Sequence, residues 1–218
     1  MRDLRCHILP SVDDGAGDMD DSLAMFRAAR DAGITSITYT PHCRDPYFDY
    51  LPMWRAFRAF EREVRAIDAA FPLQMGFEVN YHKLMELGLE WVERLHFDGS
   101  NEFLLELSVG ASPSRFGDYE RTIFDLQGLG YTVIIAHPER YVAIQKDLSL
   151  ARELADMGCR LQVSTDSLKG GRLGRERRPA LRMLKEGLYA YAASDAHRVE
   201  DYAMFAKVVN RWGEYLQG

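Results

Sequence analysis

Seven short β-prone runs, each followed by a segment long enough for a helix, constrain this chain more than any other feature. The runs are Leu4–Ile8, Ile34–Thr40, Leu73–Val79, Phe103–Leu107, Thr132–Ala136, Arg160–Val163 and Leu188–Ala192. Strands joined by helix-length crossovers pair in parallel, because only a long connection returns the chain to the end where it started. Between the first two runs, Asp18 is placed to cap a helix whose next residues are acidic, and Gly33 to end it. Phe57, Phe60, Val64, Ile67 and Phe71 then recur every three or four residues, the stripe of a helix with one buried face. Phe205, Val209, Trp212 and Leu216 repeat the pattern near the C-terminus. No linker-like or low-complexity stretch divides the 218 residues, so the expectation is one domain over 1–218.

The fold class expected is α/β, a distorted TIM-like (β/α)7 barrel. An open doubly wound sheet is the structural alternative, but Leu9-Pro10-Ser11-Val12-Asp13-Asp14-Gly15 after the first run is not a dinucleotide fingerprint. The placement of polar residues favours the barrel. His7, His42, Glu78, Glu106, His137 and Asp195 all stand at or just beyond the C-terminal end of a run. In a closed parallel barrel those ends share one face, where distant residues converge.

Four of the six histidines lie in short motifs suited to metal binding: Cys6-His7, Thr40-Pro41-His42, Ala136-His137-Pro138-Glu139-Arg140 and Ser194-Asp195-Ala196-His197. A single such histidine is ordinarily structural; four, with carboxylates at neighbouring strand ends, point to zinc, manganese or iron and to activation of water. Glu78 and Glu106 interrupt apolar strands, where burying a carboxylate is costly unless a cation compensates it. A metal is one such cation; for Glu106, Arg140 is the other. Asp13-Asp14-Gly15 reads as a turn in which glycine supplies an unusual backbone angle, and either acid could bind a metal or transfer a proton. Cys6 and Cys43 adjoin histidines and could bind metal as thiolates, but buried structural thiols are the simpler reading. A cysteine-dependent phosphatase needs arginine six positions after its nucleophile; Val12, Asp49 and Thr165 occupy those positions, excluding that mechanism. His82 and His96 fall in charged helical stretches and carry no assigned role.

The net charge of −6 disfavours general nucleic-acid binding. Three cysteines make no disulfide framework, Met1–Arg5 carries no apolar signal region, and no apolar run spans a membrane. The expected location is the cytoplasm, without membrane insertion. Oligomeric state is not encoded in any feature of the sequence. Lys169–Arg178 is the strongest basic run; as a loop following a strand it either stays solvated or overhangs the site and steers an anionic ligand. Asp45-Pro46-Tyr47-Phe48-Asp49-Tyr50 offers aromatic contacts to a ligand ring, or packs.

These motifs, in this order along nearly the whole chain, resemble the polymerase and histidinol phosphatase (PHP) superfamily. Within it the chain is most similar to the bacterial manganese-dependent protein tyrosine phosphatases of capsule and exopolysaccharide operons. The resemblance rests on His7–Ala16, Thr40-Pro41-His42, Gly76-Phe77-Glu78-Val79, Leu104-Leu105-Glu106, Ile134–Tyr141 and Ala193–His197, with Gly171–Arg175 similar to a glycine-rich basic loop. It implies a PHP-type barrel holding two to three ions, manganese or another transition metal such as iron or zinc. One ion would take His7, Glu78 and Asp195; a second Glu78, Glu106 and His137; a third Asp14, His42 and His197. Arg140 would grip the substrate phosphate, and Asp14 or His197 would protonate the departing phenolate. The implied substrate is the phosphotyrosine tail of a bacterial tyrosine kinase. A small-molecule phosphatase of the histidinol-phosphate type and a catalytically weakened phosphoprotein-binding relative are the rival readings.

Two departures from the family pattern matter. Arg5 stands where the Asp-x-His-x-His signature has its first histidine, and a guanidinium has no lone pair to offer a metal. It either points inward and replaces positive charge, repelling an ion from His7, Glu78 and Asp195, or points away. The expectation is that this position is empty or partly occupied. A second phosphate-binding arginine is also missing after Ser194–His197; Arg198 is its one nearby substitute.

Overall fold

The computed structural model describes residues 1–170 and 174–215 and contains nine strands among them, all pairing in parallel. They are β1 (Arg2–Asp3), β2 (Ser36–Tyr39), β3 (His42–Cys43), β4 (Leu73–Met75), β5 (Glu78–Asn80), β6 (Glu102–Glu106), β7 (Thr132–Ala136), β8 (Arg160–Ser164) and β9 (Tyr189–Ala193). One sheet runs β1-β2-β4 and the other β3-β5-β6-β7-β8-β9.

These nine strands occupy seven lanes. β2 and β3 form one lane broken at Thr40-Pro41, and β4 and β5 another broken at Gly76-Phe77. Across the breaks the lanes stay joined: Gly76 N donates to Tyr39 O at 2.8 Å and Glu78 N to Pro41 O at 3.2 Å. Proline has no amide hydrogen for a ladder. Gly76 meets a different constraint, since a Cβ there would fall 2.3 Å from the Phe97 ring. The ring of lanes closes at its ends. Cys6 bridges Ala196 in parallel, His7 N donates to Ala196 O at 2.9 Å, and Asp195 N donates to Arg5 O at 3.0 Å. The α/β class and its barrel-like closure agree with the reading of seven runs.

Three details differ from that reading. Leu4–Ile8 is no regular strand; the ladder stops at Asp3, and only the irregular pairing around Cys6 carries the lane on to the site. Leu73–Val79 is split where Gly76 yields to Phe97. Ile67 is 40% exposed, because the helix Tyr50–Ile67 ends there and no further turn covers it. Phe71, beyond that helix, still packs edge-on against Phe26, with ring centroids 5.0 Å apart.

The expected caps are present. Asp18 Oδ1 accepts from Asp21 N at 2.9 Å at the start of the helix Met19–Asp31, and Gly33 follows its end with φ of +85°. Met53, Phe57, Phe60 and Val64 are the buried stripe of the second helix. Each large apolar side chain so buried contributes about 1.5–3 kcal/mol, more than the helix's own propensity can supply. In the helix Val199–Trp212, Tyr202, Phe205 and Val208 are buried and Val209 and Trp212 are half-buried; Leu216 lies outside the described residues. Among the described residues, no helix is long and apolar enough to cross a membrane.

Candidate metal centre

The eight side chains singled out as metal-binding, His7, Asp14, His42, Glu78, Glu106, His137, Asp195 and His197, come together at the C-terminal end of the lanes. They form three overlapping groups whose ligand atoms lie within 4.8 Å of one another: His7–Asp14–His42–His197, His7–Glu78–Asp195 and Glu78–Glu106–His137. Glu78 is the hub. Its Oε1 is 3.0 Å from His137 Nε2, and its Oε2 is 3.2 Å from His42 Nδ1 and 3.3 Å from His7 Nε2.

Backbone geometry aims several of these groups. His137 and Asp195 take left-handed conformations, with φ of +33° and +54°. Such angles cost a non-glycine residue roughly 1–3 kcal/mol and persist only where surrounding contacts enforce them. His137 is followed at once by the 3-10 turn Pro138–Arg140, and Arg140 N donates to His137 O at 2.9 Å. Asp195 is held by its amide on Arg5 O and by arginines on both carboxylate oxygens.

Gly15 is needed for a different reason from the one expected. Its φ is not positive; instead a Cβ would lie 1.7 Å from His7 O, because Ala16 N donates to that carbonyl at 3.1 Å. The close approach lets Asp13 reach behind the cluster. Asp13 Oδ2 is 2.8 Å from His7 Nδ1 and accepts from His42 N at 3.2 Å, so it fixes the ring while Asp14 faces inward. Carboxylates placed this way orient a ligand histidine and raise its basicity. Asp13→Asn is expected to weaken metal binding by about 10–100-fold, measured by calorimetric titration with manganese; an unchanged affinity would show that Asp13 only packs.

The electrostatics suit a cation. Burial opposes charge on Glu78, yet Arg5 and the imidazoles of His137, His42 and His7 hold its carboxyl well below the usual range. Burial likewise opposes charge on Asp195, and Arg5 and Arg140 override it. Hydrogen bonds from His197 and His42 hold Asp14 low. His7 is raised well above its ordinary value because Asp13 outweighs burial, and His42 and His137 are raised by neighbouring carboxylates against the same opposing burial. Carboxylates therefore stay ionised here. His7 Nε2, His42 Nδ1 and Glu78 Oε2 are buried, close together and, among the described residues, without hydrogen-bond partners. Buried polar atoms are rarely left so, and this donor set fits a transition-metal ion.

The arginines settle several open points. Arg5 points inward and is completely buried, with Nη1 2.9 Å from Glu78 Oε1 and 3.1 Å from Asp195 Oδ1. Arg140 does not neutralise Glu106. Its Nη2 donates to Asp195 Oδ2 at 2.6 Å, Ser164 Oγ at 3.0 Å and Asp166 Oδ1 at 3.1 Å. Glu106 instead accepts from Asn80 Nδ2 at 3.1 Å and faces His137 Nε2 at 3.5 Å. Arg198 is exposed at a helix start and makes no ion pair among the described residues.

Arg44, which the sequence reading passed over, lies 3.0 Å from His42 Nε2 and 3.4 Å from Asp14 Oδ2, with its guanidinium 5.8 Å from the Tyr47 ring centre. Its signal was its place two residues after His42, at the start of the aromatic stretch. In that stretch, Tyr47 packs near His42, while Phe48 and Tyr50 pack on Phe77 and Trp91. A cavity of about 320 Å³ beside it is lined by Arg44, Asp45, Asn80, His82, Lys83 and Glu86. His82 Nε2 there is 2.8 Å from Ser108 Oγ, and His96 Nδ1 is 2.9 Å from Phe97 O. Cys6 and Cys43 belong to none of the three groups, and burial pushes the Cys43 thiol up to about 12 and Cys6 well above its ordinary value. Of the basic run, Gly171, Arg172 and Leu173 lie outside the described residues; Arg175 is exposed.

A parallel α/β ring with three overlapping imidazole–carboxylate groups at one end has the donor sets of a metal-binding protein. The family model for capsular polysaccharide synthesis, CpsB/CapC, matches residues 1–206, and the chain belongs to that family. It is 35% identical over 203 residues to the tyrosine-protein phosphatase YwqE of Bacillus subtilis (strain 168), covering 92% of this chain and 78% of that protein. Against the tyrosine-protein phosphatase CpsB of Streptococcus pneumoniae the identity is 26% over 205 residues, covering 92% and 84%. A solved structure from work on YwqE and CpsB, described as unique metal-dependent tyrosine phosphatases, superimposes with a TM-score of 0.85 at 31% identity, covering 98% of this chain and 86% of that one. An organophosphorus hydrolase variant, at 15% identity and a TM-score of 0.52, shares the fold alone. The family read from the motifs is borne out.

Proposed function

We propose that this chain is a metal-dependent protein tyrosine phosphatase, with residues 1–218 acting as one unit. The observation that carries the reading is the overlap of three candidate metal-holding groups through His7 and Glu78, with Arg140 alongside. Its substrate is the phosphotyrosine tail of a bacterial tyrosine kinase controlling capsule or exopolysaccharide synthesis, and its site of action is the cytoplasm. The relatives' names support phosphotyrosine as the target, and the family supports the link to capsule synthesis.

The metal ligands are His7, Asp14, His42, Glu78, Glu106, His137, Asp195 and His197, for two to three ions of manganese, iron or zinc. Bound there, such ions polarise phosphoryl oxygens and lower the pKa of water. Arg140 binds the phosphoryl oxygens; Asp195, Asp166 and Ser164 preset its guanidinium, while its side chain stays 26% exposed to incoming substrate. Water attacks phosphorus as the bond to the tyrosyl oxygen breaks, releasing phosphate and phenolate. Asp14 or His197, whichever stands free of the ions, returns the proton to that phenolate from the outer lip. His197 Nδ1 lies 2.8 Å from the Asp195 carbonyl, which can only accept, so Nδ1 carries the hydrogen and Nε2 faces Asp14 at 3.3 Å. Arg198 and the run Lys169–Arg178 attract the anionic tail from a distance.

The test is phosphate release from a phosphotyrosine peptide by the purified chain with and without manganese. Turnover should need the ion and survive thiol alkylation, since Cys6, Cys43 and Cys159 are all buried. Faster turnover of histidinol phosphate than of the peptide would move the assignment to a small-molecule phosphatase. Peptide binding without turnover under any metal would make the chain a phosphoprotein-binding relative, the outcome that Arg5 would explain.

A further inference from the structure

We infer that the guanidinium of Arg5 takes the place of one ion, so that this chain holds two divalent ions bridged by Glu78 rather than three. The inference rests on the metal-dependent reading above and specifies its site. Of the three groups, only His7–Glu78–Asp195 has a fully buried guanidinium bound to two of its carboxylates; Arg44, which lies against His42 and Asp14, is 35% exposed and can turn to solvent. Arg5 Nη1 lies within 3.1 Å of both Glu78 Oε1 and Asp195 Oδ1, the nearest oxygens an ion in that group would need to bridge. Arginine keeps its proton at every pH the fold survives, and like charges this close in a shielded pocket repel strongly.

Arg5 has nowhere else to go. The residue is 0% exposed, and among the described residues its Nε and Nη2 have no hydrogen-bond partner, so two carboxylates hold the head group. Asp195 is correspondingly committed to arginines on both sides, Oδ1 to Arg5 and Oδ2 to Arg140 at 2.6 Å. On this inference Asp195 drops out of the ligand set proposed above and serves as a positioning residue for Arg140.

His7 is freed by the same substitution. Its ring lies between His42 and His197, with centroids 4.2 Å from each, and it completes the four-residue group with Asp14. The remaining triad is Glu78–Glu106–His137. Glu78 faces the triad through Oε1, which Arg5 also contacts from the Asp195 side, and the four-residue group through Oε2, so one carboxylate serves both remaining positions.

The experiment is a metal count on the full chain loaded with manganese and freed of excess by gel filtration, paired with anomalous diffraction from manganese-loaded crystals. Two ions per chain are expected, one beside Glu106 and His137 and one beside Asp14, His42 and His197, with none bonded to Asp195. Arg5→His should raise the count to three. A wild-type count of three, or an anomalous peak bonded to Asp195, would overturn the role given to Arg5 while leaving the phosphatase reading intact. So would a count of one. No bound manganese, iron or zinc at all would remove both. If Arg5→His does not fold, the wild-type crystals decide alone.

Discussion

Glu78→Gln should lower phosphotyrosine turnover by at least about 10²–10³-fold, the range for losing one preorganised electrostatic group. The two residues have nearly the same shape, so the effect isolates charge. Glu78 is buried and faces Arg5, His137, His42 and His7 within 3.3 Å. A neutral amide offers one weak oxygen donor where the carboxylate offers two. Its NH2 must also face either Arg5 and His137 or His7 and His42, leaving buried groups unpaired on that side. Both candidate ion positions share this one residue, so metal content should fall together with turnover. Circular dichroism checks that the fold persists. Turnover within tenfold of wild type at unchanged metal content would mean that Glu78 is a structural anion and that the chemistry lies elsewhere.

Much of this centre could be read from the chain because its ligands break a rule in plain view. A histidine or carboxylate ending an apolar β-prone run is costly unless compensated, and His42, Glu78, Glu106 and His137 each do so. Parallel topology then brings them to one end without further information. Arg5 was partly legible too: Asp3, Arg5 and His7 alternate along one extended segment, which places Arg5 on the face of His7. The roles of Asp13 and Arg44 were not legible, because they depend on how loops fold against the barrel rather than on any period. Asp13 and Asp14 are adjacent and chemically alike, yet one backs His7 and the other faces His42 and His197. Gly15 shows the same limit. The residue was conspicuous, but the reason for it, contact with the His7 carbonyl, exists only in three dimensions. Arg140 was found but its carboxylate partners were not, since Asp195 and Asp166 reach it across 55 and 26 residues.

Arg5→Met should destabilise the chelator-treated protein by about 3–5 kcal/mol, the usual cost of removing one partner from a buried ion pair. For a chain of this size that lowers Tm by roughly 6–20 °C. Methionine retains much of the packing volume, so the loss reports the uncompensated charge on Glu78 and Asp195. The sign of the pH dependence follows from their lowered pKa values. Stability from such groups is present above the ordinary carboxylate values of 4.5 and 3.8 and is lost as pH falls through the lower folded ones. Without Arg5, burial instead penalises the same ionised groups above those ordinary values. The deficit of the variant should therefore be full near neutral pH and shrink as pH falls from the ordinary carboxylate values towards the lower folded ones. Manganese should restore much of the lost stability at neutral pH, because an ion binding only the folded chain stabilises it by mass action and can take the vacated position between Glu78 and Asp195. A variant as stable as wild type in chelator, or one whose deficit manganese does not reduce, would show that these carboxylates do not depend on the cation at Arg5.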